Sequence, residues 1–437
     1  MVRPCPQSRP YPTPIYPKAR YSLAFFMCMN KLSDEFIWPA YDGRSIANIP
    51  ATVADILHAP FHGLPPLATE LWQPLAAGVK RVVLLVLDAF GWNLLQAEAA
   101  NLDSLRQRAG ITNHLTSVFP STTVAALSSL WTGAAPAQHG MVGFTMFLAD
   151  FAVVTEMIRF TPVFAHHPDA LIDAGLDPET FLQWPGLAEQ LARYGVPTYS
   201  FKGREIVNSA LSKMHGRGLV ADQGVVSFAD MLWQMGQLLH EKAGEPLFLF
   251  GYWPVIDTLS HFRRWDGAAT RAEARQLFHQ MEHEFLNRLT AVARQDTLFF
   301  ITADHGQIAW PDAIFLEDHP RLQEMLFMRP TGEHRVSYLY AKHGRTDDIL
   351  HYLQTHLGHA LVAVRSDEAL AAGLFGPAPH TAVALDRLGD ITVIMRGGYR
   401  LLSRAQEKKA WQIVGGHGSM TPAEMLTPWL GFRLDGW

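Results

Sequence analysis

The sequence Leu298-Phe-Phe-Ile-Thr-Ala-Asp-His-Gly306 joins an apolar run to two polar side chains. Its first four residues are apolar without alternation, as expected for a buried strand of a parallel sheet. The strand is followed by Asp304 and His305. Ligands in open α/β sheets bind beyond the carboxyl ends of the strands, and carboxylate and imidazole are preferred zinc ligands. The stretch therefore indicates a metal site at the edge of a sheet.

Two other apolar runs also lead into carboxylates. Val82–Leu87 stops at Asp88, and Leu247–Trp253 is followed by Asp257 and then, four positions later, by His261. Because the carboxyl ends of parallel strands meet at one edge of a sheet, these side chains are expected to lie close together. Taken alone, the last pair could equally be an exposed i,i+4 pair on a helix.

Further strand candidates occur along the chain and alternate with helical stretches. The alternation predicts an α/β fold, doubly wound, with a mainly parallel central sheet flanked by helices. No internal repeat or low-complexity linker occurs after residue 40, which predicts a single catalytic domain over residues 41–437. Residues from about 145 to 245 separate two of the motifs, and we expect an inserted cap there, because such inserts commonly set substrate choice. The additional candidate strands are Pro197–Phe201, Arg335–Tyr340 and Ile391–Met395.

Composition narrows the class of protein. The chain has 437 residues, 48% hydrophobic and 18% charged, so it can bury a large core. Its formal net charge of -5 and the lack of a long Lys/Arg run argue against a nucleic-acid polymer as partner and favour a small-molecule substrate. Only Cys5 and Cys28 occur, so metal ligands must come from the 20 histidines and the carboxylates.

The first 40 residues differ from the rest. They contain the Pro-rich stretch Arg9–Ile15 and the apolar patch Leu23–Met27. The patch is shorter than the ~20 residues that span a bilayer, and no small-residue cleavage site follows it. We expect residues 1–40 to be a disordered tail, with Met29 as an alternative start. A cytoplasmic protein with no membrane span is the corresponding expectation.

A hydroxyl cluster opens a predicted helix after Pro120. Ser121, Thr122 and Thr123 could each cap that helix by accepting hydrogen bonds from its free N–H groups. A helix N-terminus also favours a phosphate, so a hydroxyl placed there beside a metal could instead attack phosphorus. The residue pattern does not choose among the three.

Near the end of the chain, glycines flank one imidazole in Gly416-His417-Gly418 and allow close approach of the backbone. The candidate ligands are then all oxygen and nitrogen donors, and they suffice for two divalent cations, Zn²⁺ or alternatively Mn²⁺. Two such ions can clamp the entering and leaving oxygens of a phosphoryl displacement. The six candidates are Asp88, Asp257, His261, Asp304, His305 and His417.

The order of these motifs resembles the alkaline phosphatase superfamily and, within it, the type I phosphodiesterase/nucleotide pyrophosphatase branch. The resemblance covers about residues 80–145, 245–310 and 410–430. It implies an alkaline phosphatase-like fold, a mainly parallel sheet between helical layers. The matching motifs are Asp88, Phe119-Pro120-x-x-Thr123 with Thr132-Gly133, Asp257-x-x-x-His261, Asp304-His305-Gly306 and Gly416-His417-Gly418.

The resemblance also implies roles. Thr123 would be the nucleophile of a metal-dependent phosphate ester hydrolase that passes through a phospho- or nucleotidyl-threonine. A phosphonate hydrolase or a metal-dependent phosphomutase on the same scaffold is the alternative, and a non-catalytic binding protein is a further one. One metal would be held by Asp257, His261 and His417, and the other by Asp88, Thr123, Asp304 and His305.

The sequence departs from the family at one position. Nucleotide-processing members carry an Asn three residues beyond the nucleophile, where this chain has Ala126, so a phosphate-orienting amide is expected to be missing. The substrate could accordingly be a monoester, a diester or a phosphonate. His139 is interpreted as structural, and Trp92 and Tyr252 as residues that could line the pocket. Candidate substrate-binding residues are Lys202, Arg204, Asn208, Arg263 and Arg264.

Overall fold

A computed structural model describes residues 35–404 and 412–437 of the chain. Its strands are, in chain order, β1 (Arg81–Leu87), β2 (Ile111–Thr116), β3 (Thr145–Leu148), β4 (Val153–Glu156), β5 (Thr161–Pro162), β6 (Thr198–Gly203), β7 (Ala221–Val225), β8 (Leu247–Trp253), β9 (Thr297–Thr302), β10 (Ile308–Ala309), β11 (Asp312–Phe315), β12 (Thr331–Gly332), β13 (Val336–Leu339), β14 (Leu361–Arg365), β15 (Ile391–Met395), β16 (Tyr399–Leu402), β17 (Gly415–Gly416) and β18 (Leu426–Arg433).

The described helices fall into two length classes. Those of eight or more residues are α1 (Ile49–Ile56), α2 (Thr123–Thr132), α3 (Phe228–Glu241), α4 (Val255–Arg263), α5 (Ala268–Gln280) and α6 (Thr346–Leu357). The shorter ones are Gln73–Ala76, Trp92–Ala97, Asp103–Arg108, Pro136–His139, Ala170–Asp173, Pro178–Phe181, Leu187–Ala192, Ala210–His215, Ala291–Arg294, Pro320–Met325, Ser366–Ala371, Ala384–Leu388 and Pro422–Met425.

The central sheet has seven strands in the order β2-β18-β9-β1-β8-β6-β7. β1 runs parallel to both β8 and β9, and β18 is antiparallel to both of its neighbours. Successive side chains of β1 enter opposite apolar layers, so Val82 packs with α1 and α2 whereas Val83 packs with α3 and α5. Burial on both faces explains the uninterrupted apolar runs of the sequence. The predicted α/β class, with a mainly parallel central sheet flanked by helices, is confirmed.

A second seven-stranded sheet, in the order β14-β15-β13-β12-β3-β4-β5, is antiparallel throughout. It contains the candidate strands at 335–340 and 391–395, and their predicted place in the doubly wound sheet was therefore wrong. Both strands are buried by apolar layers on two sides. Their composition for that reason matches that of a central parallel strand, and local pattern could not separate the two cases.

The second sheet also corrects the extent of the predicted cap at about 145–245. β3, β4 and β5 do lie in this sheet, but β6 and β7 belong to the central sheet and α3 packs on it. The remaining strands of the second sheet come from residues 331–395, far along the chain. Pairing between segments so distant in sequence leaves no local signal.

The domain begins before residue 41. Phe36 is only 2% exposed, and the backbone N–H of Ile37 donates to the carbonyl of Met420 at 2.7 Å. Residues 35–40 are thus packed, and for them the predicted disordered tail was wrong. Cys5, Cys28 and the rest of the predicted tail lie outside the described residues. Within the described ranges, no helix combines the length and the apolar character needed to cross a membrane.

Candidate functional site

The predicted ligands converge at the carboxyl edge of the central sheet. In the register of the parallel strands, Leu87 at the end of β1 lies beside Trp253 at the end of β8. Asp88 directly follows β1, Asp257 lies in the first turn of α4 after β8, and Asp304 comes two residues after β9. The strand ends therefore carry all three carboxylates to one place, as the sequence predicted.

His417 reaches the same edge from the C-terminal segment. It follows β17, which pairs antiparallel with β10 through Ile308 and Gly416. Its ring stacks on that of His305, with 3.8 Å between the ring centroids and 20° between the ring planes. A short two-stranded sheet thus fixes the imidazole from the end of the chain against the one that follows β9.

The first of two ligand groups contains Asp88, Asp304 and His305. The Nε2 atom of His305 lies 3.6 Å from Oδ1 of Asp88 and 3.4 Å from Oδ2 of Asp304. Oδ1 of Asp304 accepts backbone N–H groups of Ala89 at 3.1 Å and of His305 at 3.0 Å. These bonds orient the carboxylate and leave its second oxygen directed at the imidazole.

The second group contains Asp257, His261 and His417. Oδ2 of Asp257 lies 3.3 Å from Nε2 of His261, and Oδ1 lies 3.6 Å from Nε2 of His417. The Nδ1 atoms of the two imidazoles donate to backbone carbonyls, of Gly415 at 2.8 Å and of Ser121 at 3.0 Å. These bonds direct both Nε2 atoms into the site, as carbonyl partners do for metal-binding histidines.

The charges of the site are strongly coupled. Burial, together with the nearby Asp304 and Asp257 carboxylates, raises the pKa of Asp88 well above its ordinary value. Burial would also raise the pKa of Asp257, but His261 and His417 outweigh it and lower that pKa. Burial and the charge of His305 lower the pKa of His417. Burial opposes protonation of His261, yet Asp257 raises its pKa to about 9.

The side chains present fit divalent cations. Oδ1 of Asp88 and Oδ2 of Asp304 are buried and have no hydrogen-bond partner among the described residues, a costly arrangement for isolated carboxylates. Donor atoms of Asp88, Asp304 and His305 lie within 4.8 Å of one another, as do those of Asp257, His305 and His417. Carboxylate and imidazole donors without thiolates suit zinc or manganese.

The three hydroxyl groups at the start of α2 have different partners. Oγ1 of Thr123 lies 3.2 Å from Nε2 of His305. The Ser121 hydroxyl donates to the carbonyl of Ser419 at 2.7 Å, and the Thr122 hydroxyl donates to the Glu333 carboxylate. Thr123 is therefore the one of the three whose hydroxyl meets a candidate ligand.

Three residues contact the proposed ligands or the start of α2, and these contacts were not predicted from the sequence. Tyr252 donates its hydroxyl to Oδ2 of Asp88, and the Gln307 amide donates to the carbonyl of Asp257 at 3.2 Å. Gln307 directly follows the Asp-His-Gly motif, and that position was the available signal. Glu333, between β12 and β13, accepts the Thr122 hydroxyl, and no local pattern marks it.

Most candidate substrate-binding residues lie elsewhere. Lys202 is buried and its Nζ atom lies 3.1 Å from Oδ1 of Asp222, so the two residues form a structural ion pair. Arg264 is exposed and pairs with Asp266 at 2.9 Å. Within the described ranges, the structure places none of the five candidates against a ligand. The other three, Arg204, Asn208 and Arg263, are exposed.

The positions of three further residues bear on expectations from the sequence. Ala126 is fully buried in the apolar layer beneath the central sheet, so the departure from the family pattern there lies in the core. Ala126 has no amide to offer a phosphate, and the expectation that a phosphate-orienting amide is missing at this position stays a prediction. Trp92 packs against His114, with 5.3 Å between ring centroids, rather than against the ligands. His139 is buried at the far end of α2, where its Nε2 lies 3.0 Å from the Ser129 hydroxyl.

Comparisons with solved structures support the fold. Murine ectonucleotide pyrophosphatase/phosphodiesterase 5 aligns with a TM-score of 0.61 at 19% identity, covering 81% of this chain and 89% of that one. An inactive threonine-to-alanine variant of that murine protein, in complex with AMP, aligns with a TM-score of 0.62 at 18% identity, covering 82% of this chain and 90% of that one. Phosphonoacetate hydrolase from Sinorhizobium meliloti 1021, in complex with phosphonoformate, aligns with a TM-score of 0.59 at 17% identity, covering 81% of this chain and 90% of that one.

The sequence comparisons identify the family. No curated protein sequence matches the chain. The family model for type I phosphodiesterase/nucleotide pyrophosphatase matches residues 82–420, which include all seven predicted site residues. The chain therefore belongs to the type I phosphodiesterase/nucleotide pyrophosphatase family of the alkaline phosphatase superfamily, which supports a metal-dependent hydrolase of phosphoesters or phosphonates.

Proposed function

We propose that this protein hydrolyses small-molecule phosphate esters with two divalent cations and with Thr123 as the nucleophile. The observation that carries the proposal is the 3.2 Å approach of the Thr123 hydroxyl to Nε2 of His305, at the N-terminus of α2 and inside the ligand cluster. The inactivity of a threonine-to-alanine variant of the murine relative is consistent with a threonine nucleophile in this family.

In this proposal the two ligand groups hold one ion each. Two divalent cations, zinc or manganese, would neutralise phosphate charge and lower the pKa of the nucleophilic hydroxyl. The stacked pair of His305 and His417 keeps the groups side by side. One group consists of Asp257, His261 and His417, and the other of Asp88, Thr123, Asp304 and His305.

The residues of the chain supply nucleophile and orientation. The Thr123 oxygen attacks phosphorus, the bond from phosphorus to the leaving oxygen breaks, the threonine proton leaves with that oxygen, and a phosphothreonine forms. Backbone N–H groups at the start of α2 face the non-bridging oxygens, since a helix N-terminus favours an anion. Water then attacks phosphorus, the bond to Thr123 breaks, and one proton of the water passes to the threonine oxygen.

A phosphonate hydrolase is the second candidate, favoured by the structural likeness to phosphonoacetate hydrolase. It would use the same ligands and the same threonine on a carbon–phosphorus bond. A phosphomutase and a binding protein find less support, because the family is described by hydrolytic activities and the described residues include two groups of potential metal ligands.

Side-by-side assays test the proposal. The protein, stripped of metal and reloaded with zinc or with manganese, is offered p-nitrophenyl phosphate, its bis-ester and phosphonoacetate. We expect turnover of at least one aryl ester that disappears on metal removal. Turnover of phosphonoacetate alone would move the assignment to the phosphonate hydrolase, and inertness towards all three with metal bound would contradict hydrolysis of these substrate classes.

A further inference from the structure

Glu333 brings a carboxylate from the second sheet to the start of the nucleophile helix. Its Oε1 atom accepts the Thr122 hydroxyl and also the backbone N–H of Phe144 at 2.9 Å. A Cβ added at Gly418 would stand 3.4 Å from the Glu333 Cβ. The Glu333 side chain therefore lies between Thr122, which precedes the proposed nucleophile, and Gly418, which follows His417.

This carboxylate belongs to neither ligand group, but its charge acts on both. Against the effect of burial, Asp257 raises the pKa of His261, a member of one group, and Glu333 adds a smaller rise, while His305 of the other group opposes the rise in the pKa of Glu333. Burial has the larger effect on Glu333 and raises its pKa to about 7. The Thr122 hydroxyl and the Phe144 N–H both point at Oε1, and hydrogen bonds of this kind stabilise the charged form of a carboxylate.

An additional negative charge beside a site for anions needs an explanation. Two dications and the three aspartates of the proposed ligand groups leave one net positive charge, and an ionised Glu333 cancels it. The interaction between charges is proportional to their product, so the carboxylate repels a dianionic phosphate monoester twice as strongly as a monoanionic diester at the same distance. A neutral amide would make the same hydrogen bond to Thr122 without this discrimination.

We propose that Glu333 is a specificity-determining residue that favours monoanionic phosphodiesters over dianionic phosphomonoesters. The inference rests on the proposed hydrolysis of phosphate esters and names the substrate class of that same site. Glu333 acts through its charge and touches Thr122, while the proposed ligands and Thr123 carry out the reaction.

The test compares two esters with one leaving group. Methyl p-nitrophenyl phosphate is a monoanion and p-nitrophenyl phosphate a dianion at about pH 9, where Glu333 is ionised. In Glu333→Gln, the ratio of kcat/KM for the diester to kcat/KM for the monoester should fall about tenfold. Glu324→Gln removes the same charge from an exposed position and should leave the ratio as it is in the wild type.

Two further variants separate charge from structure. Glu333→Asp keeps the charge and should keep the diester preference. Glu333→Ala loses the charge and should show the same fall in the diester-to-monoester ratio. It provides the test if the glutamine variant fails to fold. Titration calorimetry with inorganic phosphate at the same pH adds a readout independent of turnover, and phosphate, as a dianion, should bind about a hundredfold more tightly to the charge-free variants.

The outcomes are distinct. An unchanged ratio in folded Glu333→Gln and Glu333→Ala, or equal losses for both esters, would overturn the role of Glu333 while leaving the proposed hydrolysis intact. Wild-type protein that cleaves neither ester would instead remove the proposed function on which the inference rests.

Discussion

The imidazoles of His305 and His417 stack with 3.8 Å between their ring centroids, although 112 positions separate them in the chain. His305 follows β9 of the central sheet, and His417 follows β17 near the C-terminus. The contact joins the group around Asp304 to the group around Asp257. A change in one group is therefore expected to affect the other, which bears on each variant of a ligand.

Thr123→Ala should abolish hydrolysis and leave the metal in place. Loss of the nucleophile is expected to lower kcat by roughly 10³-fold or more, as for other covalent nucleophiles. The six other predicted ligands remain, so metal content measured by atomic emission should stay near the wild-type value. Thr180→Ala, at an exposed position, serves as the control. A Thr123→Ala protein with wild-type turnover would remove Thr123 from the mechanism.

Asp304→Asn should weaken metal binding and, in the metal-free protein, raise stability. The asparagine oxygen can still accept the Ala89 and His305 N–H groups, but an uncharged NH2 group replaces the unpartnered buried oxygen next to Asp88. Relief of this repulsion is expected to contribute about 1–3 kcal/mol to the metal-free state.

Thermal unfolding with and without a chelator measures both effects. Zinc should raise the melting temperature of the wild-type protein, because the ion binds only the folded state, and it should raise that of the variant much less. Asp312→Asn, on an exposed strand end, is the matched control. Equal metal-dependent shifts in variant and wild type would show that Asp304 is not a ligand.

The convergence of the proposed ligands could be predicted from the sequence because each follows a buried apolar run or lies between glycines. A parallel sheet then brings the ends of such runs to one edge without any further information, as it does for Asp88, Asp257 and Asp304. Glu333 had no such signal, since its position depends on pairing between β12 and β13 in a sheet assembled from distant segments. Tyr252 lies inside β8, and only the register that places it beside Val86 brings its hydroxyl to Asp88.

Tyr252→Phe should lower metal affinity with little change in packing. The hydroxyl donates to Oδ2 of Asp88 and fixes the orientation of that carboxylate. Loss of a partner that orients a metal ligand typically costs 10–100-fold in affinity or activity, so we expect a loss of about tenfold or more. Zinc titration in competition with a chelating dye measures it.

The matched control is Tyr340→Phe, at the residue directly after β13, which removes a hydroxyl that donates to the carbonyls of Asp386 and Arg387 at 3.1 Å. Zinc affinity in this variant should equal that of the wild type. Equal zinc affinities in Tyr252→Phe and Tyr340→Phe would mean that the Asp88 carboxylate does not need its tyrosine partner.

His139 should make the stability of the protein fall at acidic pH. Its Nδ1 accepts the N–H of Met141 at 3.0 Å, so its Nε2–H donates to Ser129 at 3.0 Å and the ring is neutral. Burial, followed by the charge of Arg387, lowers the pKa of His139 to about 3.

Because the pKa is about 6.5 in the unfolded chain, protons bind the unfolded state more tightly, and the stabilisation present above that value is lost as pH falls towards 3. The loss from this one group between about pH 7.5 and about pH 5 is about 2 kcal/mol. His139→Gln can keep both hydrogen bonds but does not titrate, so its unfolding free energy should fall by about 2 kcal/mol less over the same interval. Urea unfolding of both metal-free proteins at the two pH values measures this difference, and parallel losses in the two proteins would show that His139 is not held neutral by the fold.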